Sequence, residues 1–235
     1  MKFYGLSKVT LIDFPDKVAC TVFTHGCDLR CPFCHNPELV TGNPQNIDSI
    51  TQQDLIKFLK SRINKLDGVV FTGGEPLLHR HSLIKVIKSI KDLGFEVKLD
   101  TNGTMPDVLS NLIKSNLVDF VAMDFKCSPH KYTGIMKASP KMADRILESL
   151  GILRSSSTPY EIRTTVVPGI HDNSEMKTIC SLIKGVRHYS IQNFVPNGTV
   201  DPNYKDVTPF ALKKIKEFSK IARGYVEEVE IRNID

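Results

Sequence analysis

Lys17-Val18-Ala19-Cys20-Thr21-Val22-Phe23 runs directly into Thr24-His25-Gly26-Cys27-Asp28-Leu29-Arg30-Cys31-Pro32-Phe33-Cys34-His35-Asn36-Pro37, a strand-like segment followed by a stretch with three cysteines. The first segment favours extended backbone, because β-branched side chains are stiff at χ1 and pack well on a pleated surface. Gly26, Pro32 and Pro37 then interrupt any regular pattern, so the cysteines lie on a loop at the carboxyl end of a strand.

Outward from this point the chain repeats a strand and an amphipathic helix. Strands are expected at 17–23, 69–71, 95–100, 120–124, 160–167 and 189–195, with a possible last one at 226–231. Helices are expected at 51–65, 82–93, from Pro106 onward, 142–150, 174–184 and 209–222. Thr51 with Asp54 three residues on is a capping box, Gly94 suits the residue after a helix, and Pro106 suits a first helical turn. Such alternation predicts an α/β fold with a parallel sheet. Six βα units are too few for a closed barrel of about 250 residues, so an open, partial (β/α)6 barrel is expected, with its chemistry at the carboxyl ends of the strands. No linker or low-complexity tract divides residues 1–235, which read as one domain with the cysteine loop at 24–37.

Composition narrows the function classes. With 235 residues and 41% hydrophobic content the chain can bury a core and is not disordered. No apolar run approaches the roughly 18 residues of a membrane span. A net charge of +5 without a dense Lys/Arg stripe argues against a nucleic-acid partner. No basic and apolar leader is visible at the N-terminus, so a cytoplasmic address is expected, where six cysteines serve as ligands, reactive thiols or core residues rather than disulfides.

The C-x3-C-x2-C spacing puts three thiolates within eight residues. They can bind three irons of a cuboidal cluster and leave the fourth open to a substrate or cofactor. A structural zinc site is the alternative, with His25 or His35 as fourth ligand. Cys20 and Cys180 read as core residues, whereas Cys127 lies beside a strand end and its role is open. Further polar residues mark the other strand ends: Thr72-Gly73-Gly74-Glu75-Pro76, Asp100 in Leu99-Asp100-Thr101-Asn102-Gly103, Asp124 and Lys126 in Met123-Asp124-Phe125-Lys126, and Arg163. Two glycines at a strand end permit close backbone approach to a ligand, and Glu75 offers an acceptor for a cationic group.

The cysteine loop, with an aromatic residue before its last cysteine, resembles that of the radical S-adenosylmethionine enzymes. The resemblance implies one [4Fe-4S] cluster on Cys27, Cys31 and Cys34, with S-adenosylmethionine chelated to its open iron and cleaved reductively to methionine and a 5′-deoxyadenosyl radical. Phe33, Gly73, Gly74, Glu75, Asp100, Asp124, Arg163 and Val195 are then the expected cofactor-binding residues, Gly73 to Glu75 matching the family's GGEP motif. Asp124 and Lys126 are the expected catalytic residues, because Asp100 and the Asp-x-Lys of strand four are similar to positions in activating enzymes of glycyl-radical proteins. The 4–15 segment, Cys34-His35-Asn36-Pro37-Glu38-Leu39 and Asn193-Phe194-Val195-Pro196-Asn197-Gly198-Thr199 resemble most the activating proteins of anaerobic ribonucleoside-triphosphate reductase. The implied partners are the large subunit of that reductase and a flavodoxin or ferredoxin-type electron donor. Pyruvate formate-lyase activating enzymes are the nearest alternative, although Asn193 and Asn197 stand where a histidine is expected of them. A radical enzyme acting on a small molecule, such as a 7-carboxy-7-deazaguanine synthase, is a further one. A zinc or iron-sulfur protein for binding or electron transfer is the alternative outside enzymes. Loop 40–50 and a helix with Lys213, Lys214, Lys216 and Lys220 are candidate partner surfaces, although a solvated face is the preferred reading of the helix.

Overall fold

The expected alternation takes shape in the computed structural model, which describes residues 1–234; Asp235, the last residue of the expected domain, lies outside them. The chain opens with β1 (Lys2–Phe3), β2 (Leu6–Thr10) and β3 (Ala19–Thr24), and the cysteine loop leads into α1 (Pro37–Thr41), β4 (Ile50–Thr51) and α2 (Gln52–Lys60). There follow β5 (Gly68–Gly73), α3 (Arg80–Lys91), β6 (Glu96–Thr101), α4 (Pro106–Lys114), β7 (Phe120–Asp124), α5 (Pro129–Met136) and α6 (Pro140–Ser155). The last elements are β8 (Tyr160–Val166), α7 (Asn173–Leu182), β9 (His188–Asn193), α8 (Leu212–Ala222) and β10 (Glu228–Arg232).

Eight strands form one sheet in the order β10-β9-β8-β7-β6-β5-β3-β2, parallel throughout except for β2, which runs antiparallel to β3. The two end strands do not pair with each other, so the barrel is open, as the count of βα units implies. The possible strand at 226–231 is β10, a seventh parallel strand. Among the described residues no helix is long and apolar enough to cross a membrane.

Local chemistry explains the boundaries. Thr51 and Asp54 form the full capping box of α2, each side chain bonding the other's backbone N–H. The helix expected over 51–65 nevertheless ends at Lys60, and the chain turns through Asn64 in the left-handed region at φ 62°. The helix expected over 209–222 starts at Leu212, since Ala211 is still extended. Helix α5 and the antiparallel edge β2 were not foreseen, although Pro129 at the first turn of α5 is a helix-start signal.

Side-chain alternation divides the core in two. On the outer face Val69, Phe71, Val97, Leu99, Val121, Met123, Ile162 and Ile191 belong to one buried cluster with the apolar faces of the helices, such as Leu83, Val86, Ile87 and Ile90 of α3. Burying each such side chain contributes about 1.5–3 kcal/mol. On the inner face Phe14, Ala19 and Val70 pack with Phe120 into a small plug at the amino end of the strands. Above it the inner positions turn polar, with Lys98, Asp100, Asp124, Glu161 and Arg163 in contact with one another. The carboxyl ends of the strands therefore carry the polar groups, and the amino ends are closed by apolar packing.

Candidate active site

Cys27, Cys31 and Cys34 share a cavity of about 240 Å³ with Phe33, Gly73, Gly74, Asp100, Asp124, Lys126 and Arg163. Sequence positions up to 136 residues apart thus meet because each sits toward the carboxyl end of a parallel strand, in the loop after it or, for Arg163 in the middle of β8, in register with the last residue of the neighbouring strand.

The cysteine loop is held from several sides by backbone hydrogen bonds. Gly74 N–H donates to Thr24 O at 2.9 Å and Glu75 N–H to Gly26 O at 2.7 Å, lacing the end of β5 onto it. Arg30 N–H donates to Met136 O, while Asp201 and Val200 N–H donate to Pro32 O and Cys34 O. The lacing explains the glycine pair. A Cβ on Gly74 would lie 2.0 Å from Gly26 O, and one on Gly73, whose φ is 114°, would lie 2.5 Å from Thr24 N and O. The close approach that these glycines permit includes one to the cysteine loop itself.

The donor chemistry fits a cluster better than a zinc ion. Among the described residues no three His, Cys, Asp or Glu side chains gather closely enough to hold one ion, whereas a cuboidal cluster engages its thiolates at separate corners. His25 and His35 have Nε2 against the carbonyls of Gly42 (3.0 Å) and Val195 (2.6 Å). Burial pushes the Cys27 thiol up to about 12 and the Cys31 thiol up to about 11. Both are protonated at neutral pH without a metal, and ligation would release their protons.

Opposite the cysteines lies a chain of ion pairs. Lys98 Nζ is 2.6 Å from Asp100 Oδ1, Arg163 bridges Asp100 (3.3 Å) and Asp124 (2.8 Å), and Lys126 Nζ is 3.1 Å from Asp124 Oδ2. Parallel register sets this up, since Asp124 and Arg163 are direct neighbours across β7 and β8. Burial alone would raise Asp100 and Asp124, but Arg163, with Lys98 and Lys126 respectively, holds both below their ordinary values, Asp124 well below the usual carboxylate range. Burial pulls Lys126 down, yet Asp124 and then Cys31 and Cys34 hold it above its ordinary value. Asp100, Asp124 and Lys126 therefore stay charged at neutral pH, as does Arg163, which burial pulls down but the two carboxylates hold above its ordinary value.

Two expected cofactor residues do not line the cavity. Glu75 is fully buried, and its carboxylate accepts from Leu77 N–H (3.0 Å), Thr101 Oγ1 (2.9 Å) and Asn102 N–H (2.6 Å). Its carboxylate braces the tips of β5 and β6 through these three bonds. Val195 is 42% exposed and meets the site only through its carbonyl at His35. Asn193 turns outward and donates to Phe210 O. Conversely, Asn102, Thr165 and Gln192 line the cavity and were not singled out. Period-two spacing from Arg163 would have found Thr165, and Gln192 is its partner in register on β9.

Comparison with known proteins agrees with this architecture. The family profile described as the Radical SAM superfamily matches residues 21–182. A protein of Methanocaldococcus jannaschii provisionally named a glycyl-radical enzyme activating enzyme is 32% identical over 98% of this chain and 95% of its own length. The pyruvate formate-lyase-activating enzyme of Clostridium pasteurianum is 27% identical over 97% of this chain and 95% of its own. The crystal structure of Streptococcus suis SuiB superposes with a TM-score of 0.65 at 14% identity, over 90% of this chain but only 47% of SuiB, a likeness of fold. The profile covers most of the chain and the first relative nearly all of it, on a sheet whose strand ends carry the three cysteines; the chain belongs to the radical SAM superfamily, whose members work with a [4Fe-4S] cluster and S-adenosylmethionine.

Proposed function

We propose that this protein activates a glycyl-radical enzyme, with the large subunit of anaerobic ribonucleoside-triphosphate reductase as its partner and a flavodoxin or ferredoxin-type protein as electron donor. The observation that carries the reading is one cavity lined on one side by three cysteines and on the other by Asp100, Asp124, Lys126 and Arg163. The full-length similarity to activating enzymes supports it.

Cys27, Cys31 and Cys34 would hold the cluster, and Gly73, Gly74 and Phe33 border the space beside it. The chemistry supplied by the loaded site is one-electron cleavage of S-adenosylmethionine, whose deoxyadenosyl radical takes a hydrogen atom from a glycine of the partner. Arg163 and Lys126 would offer positive charge to the carboxylate of the methionine moiety, and Asp100 and Asp124 would offer negative charge to its ammonium; in the protein these four groups pair with one another. Their mutual pairing keeps them oriented before anything binds, which lowers the ordering cost of binding. Lys126 lines the same cavity as Cys31 and Cys34, which supports a role for it in holding substrate at the cluster side.

The test is anaerobic cluster reconstitution followed by reduction with S-adenosylmethionine, alone and with the reductase large subunit or pyruvate formate-lyase. A glycyl radical seen by electron paramagnetic resonance in the reductase supports the reading. The same signal only in formate-lyase favours the second reading, which the Clostridium relative supports. Deoxyadenosine formed without any glycyl radical would turn the assignment toward a small-molecule substrate. Cys27→Ala, Cys31→Ala and Cys34→Ala should each lose the iron, whereas Cys20→Ala and Cys180→Ala, both core positions, should keep it.

A further inference from the structure

Asn102 follows the Asp100-Thr101 pair at the tip of β6, is 5% exposed, and lines the cavity beside Cys27. Its backbone N–H and both ends of its side-chain amide have partners. Its backbone N–H donates to Glu75 Oε2 at 2.6 Å. Its side-chain Oδ1 accepts from Thr104 N–H at 2.9 Å, while the Thr104 hydroxyl gives its single hydrogen to Asp28 Oδ2 at 2.5 Å. The Thr104 N–H decides the orientation of the amide, because a flipped amide would turn its NH2 toward that donor. The NH2 group therefore faces the cysteine loop, with Asp28 Oδ1 at 2.9 Å and Cys27 Sγ at 3.7 Å. An amide nitrogen has two hydrogens. One satisfies Asp28 at 2.9 Å, and the Cys27 sulfur at 3.7 Å lies within reach of the other.

The same sulfur receives a second donor, Leu29 N–H at 3.5 Å. Hydrogen bonds to a ligating sulfur draw electron density from it and stabilise the more negative, reduced state of the cluster, so they raise its potential. We propose that Asn102 is a positioning residue of the cluster site, its side-chain amide donating to the Cys27 sulfur and raising the reduction potential of the bound cluster. This rests on the reading of Cys27 as a cluster ligand. Glu75 enters the same device, since its carboxylate fixes the Asn102 backbone and ties the tip of β5 to the residue that touches the sulfur.

The experiment is an anaerobic redox titration of the reconstituted protein without S-adenosylmethionine, followed by electron paramagnetic resonance of the reduced cluster. Parent, Asn102→Ala, Asn102→Asp and Thr104→Val are compared at measured iron content, with Cys27→Ala as the check on the ligand itself. Asn102→Ala should lower the ratio of reduced to oxidised cluster at a given donor potential about ten-fold, which is about 59 mV for one electron. Asn102→Asp should shift in the same direction, because it places an acceptor where the donor was. Thr104→Val keeps the backbone donor to Oδ1 and should stay close to the parent. A parent-like potential in Asn102→Ala at equal iron overturns the proposal. So does loss of iron from both Asn102 variants while Thr104→Val keeps it, since Asn102 would then be only a clasp. Full iron in Cys27→Ala would instead remove the ligand reading beneath the proposal, whatever Asn102 does.

Discussion

Gly74 has no room for a side chain, and the obstacle is the backbone of the cysteine loop rather than a flexible group. Gly74→Ala should therefore destabilise the fold by about 3 kcal/mol and spoil cluster loading, because the 24–37 loop must move to relieve the clash. Gly134→Ala, in α5 with nothing within 4 Å of the added methyl, is the matched control and should be neutral or stabilising by up to about 1 kcal/mol. Urea midpoints and iron content of the two variants decide the matter. Glu75 carries a second prediction. Burial raises its carboxyl from the ordinary 4.5 to about 8, even with three donors on it. The folded state thus holds a proton that the unfolded chain gives up sooner, so its contribution to stability is full below pH 4.5 and is lost as pH rises through about 8. Glu75→Gln should flatten this part of the stability profile, and an unchanged slope in the variant would assign it to other groups.

Between β8 and α7 the chain does the work of a bracket for the strand end that bears Lys126. His171 Nδ1 accepts from Val167 N–H at 3.0 Å, which leaves Nε2–H to donate to Lys126 O at 2.9 Å. Lys126 N–H donates to Tyr132 Oη at 2.8 Å, and Glu175 accepts from both Ser128 N–H and Ser128 Oγ. Burial lowers the His171 pKa, so the ring keeps the neutral form that this pair of bonds requires. Replacing His171 by Leu should leave S-adenosylmethionine cleavage near the parent rate while glycyl radical yield per cleavage falls roughly 100-fold, the scale expected of a reactive group misplaced by about 1 Å. His171→Gln, which can still donate to the Lys126 carbonyl, should recover part of the yield. Equal loss of cleavage and radical yield would point to general disruption. This bracket was not legible in the chain, because His171 stands in an ordinary Pro-Gly turn and its partner is 45 residues away. The helices around it were legible, since α3, α4 and α8 bury residues at three- and four-residue spacing.

Taken as a whole, the molecule fills the middle of its barrel with charge. Lys98, Lys126 and Arg163 face Asp100, Asp124 and Glu161, Arg163 joins the two site carboxylates, and Arg232 reaches Glu161 from the edge strand β10. A buried pair is costly to break on one side only, because the partner is left charged and dry. Arg163→Leu should thus cost about 3–5 kcal/mol, and adding Asp124→Asn to it should restore part of that loss. Denaturant unfolding of the single and double variants measures the coupling; strictly additive costs would mean that the carboxylate is rehydrated rather than stranded. The open sheet makes room for this arrangement, since it ends at two edge strands, β2 and β10, that do not pair with each other.

Local chemistry in the chain determined the alternation of strands and helices, the capping box of α2, the loop with its three cysteines, and the placing of Asp100, Asp124 and Lys126 at or just after strand ends. Periodicity, turn residues and ligand spacing are properties of neighbours in sequence, and they survive without knowledge of the fold. Only the tertiary structure decided which way Glu75 points, why Gly74 must be glycine, and that Asn102 reaches the Cys27 sulfur from 75 residues away. Those facts depend on register between strands and on which loop lies over which strand tip. Such contacts are set by the packing of the whole sheet.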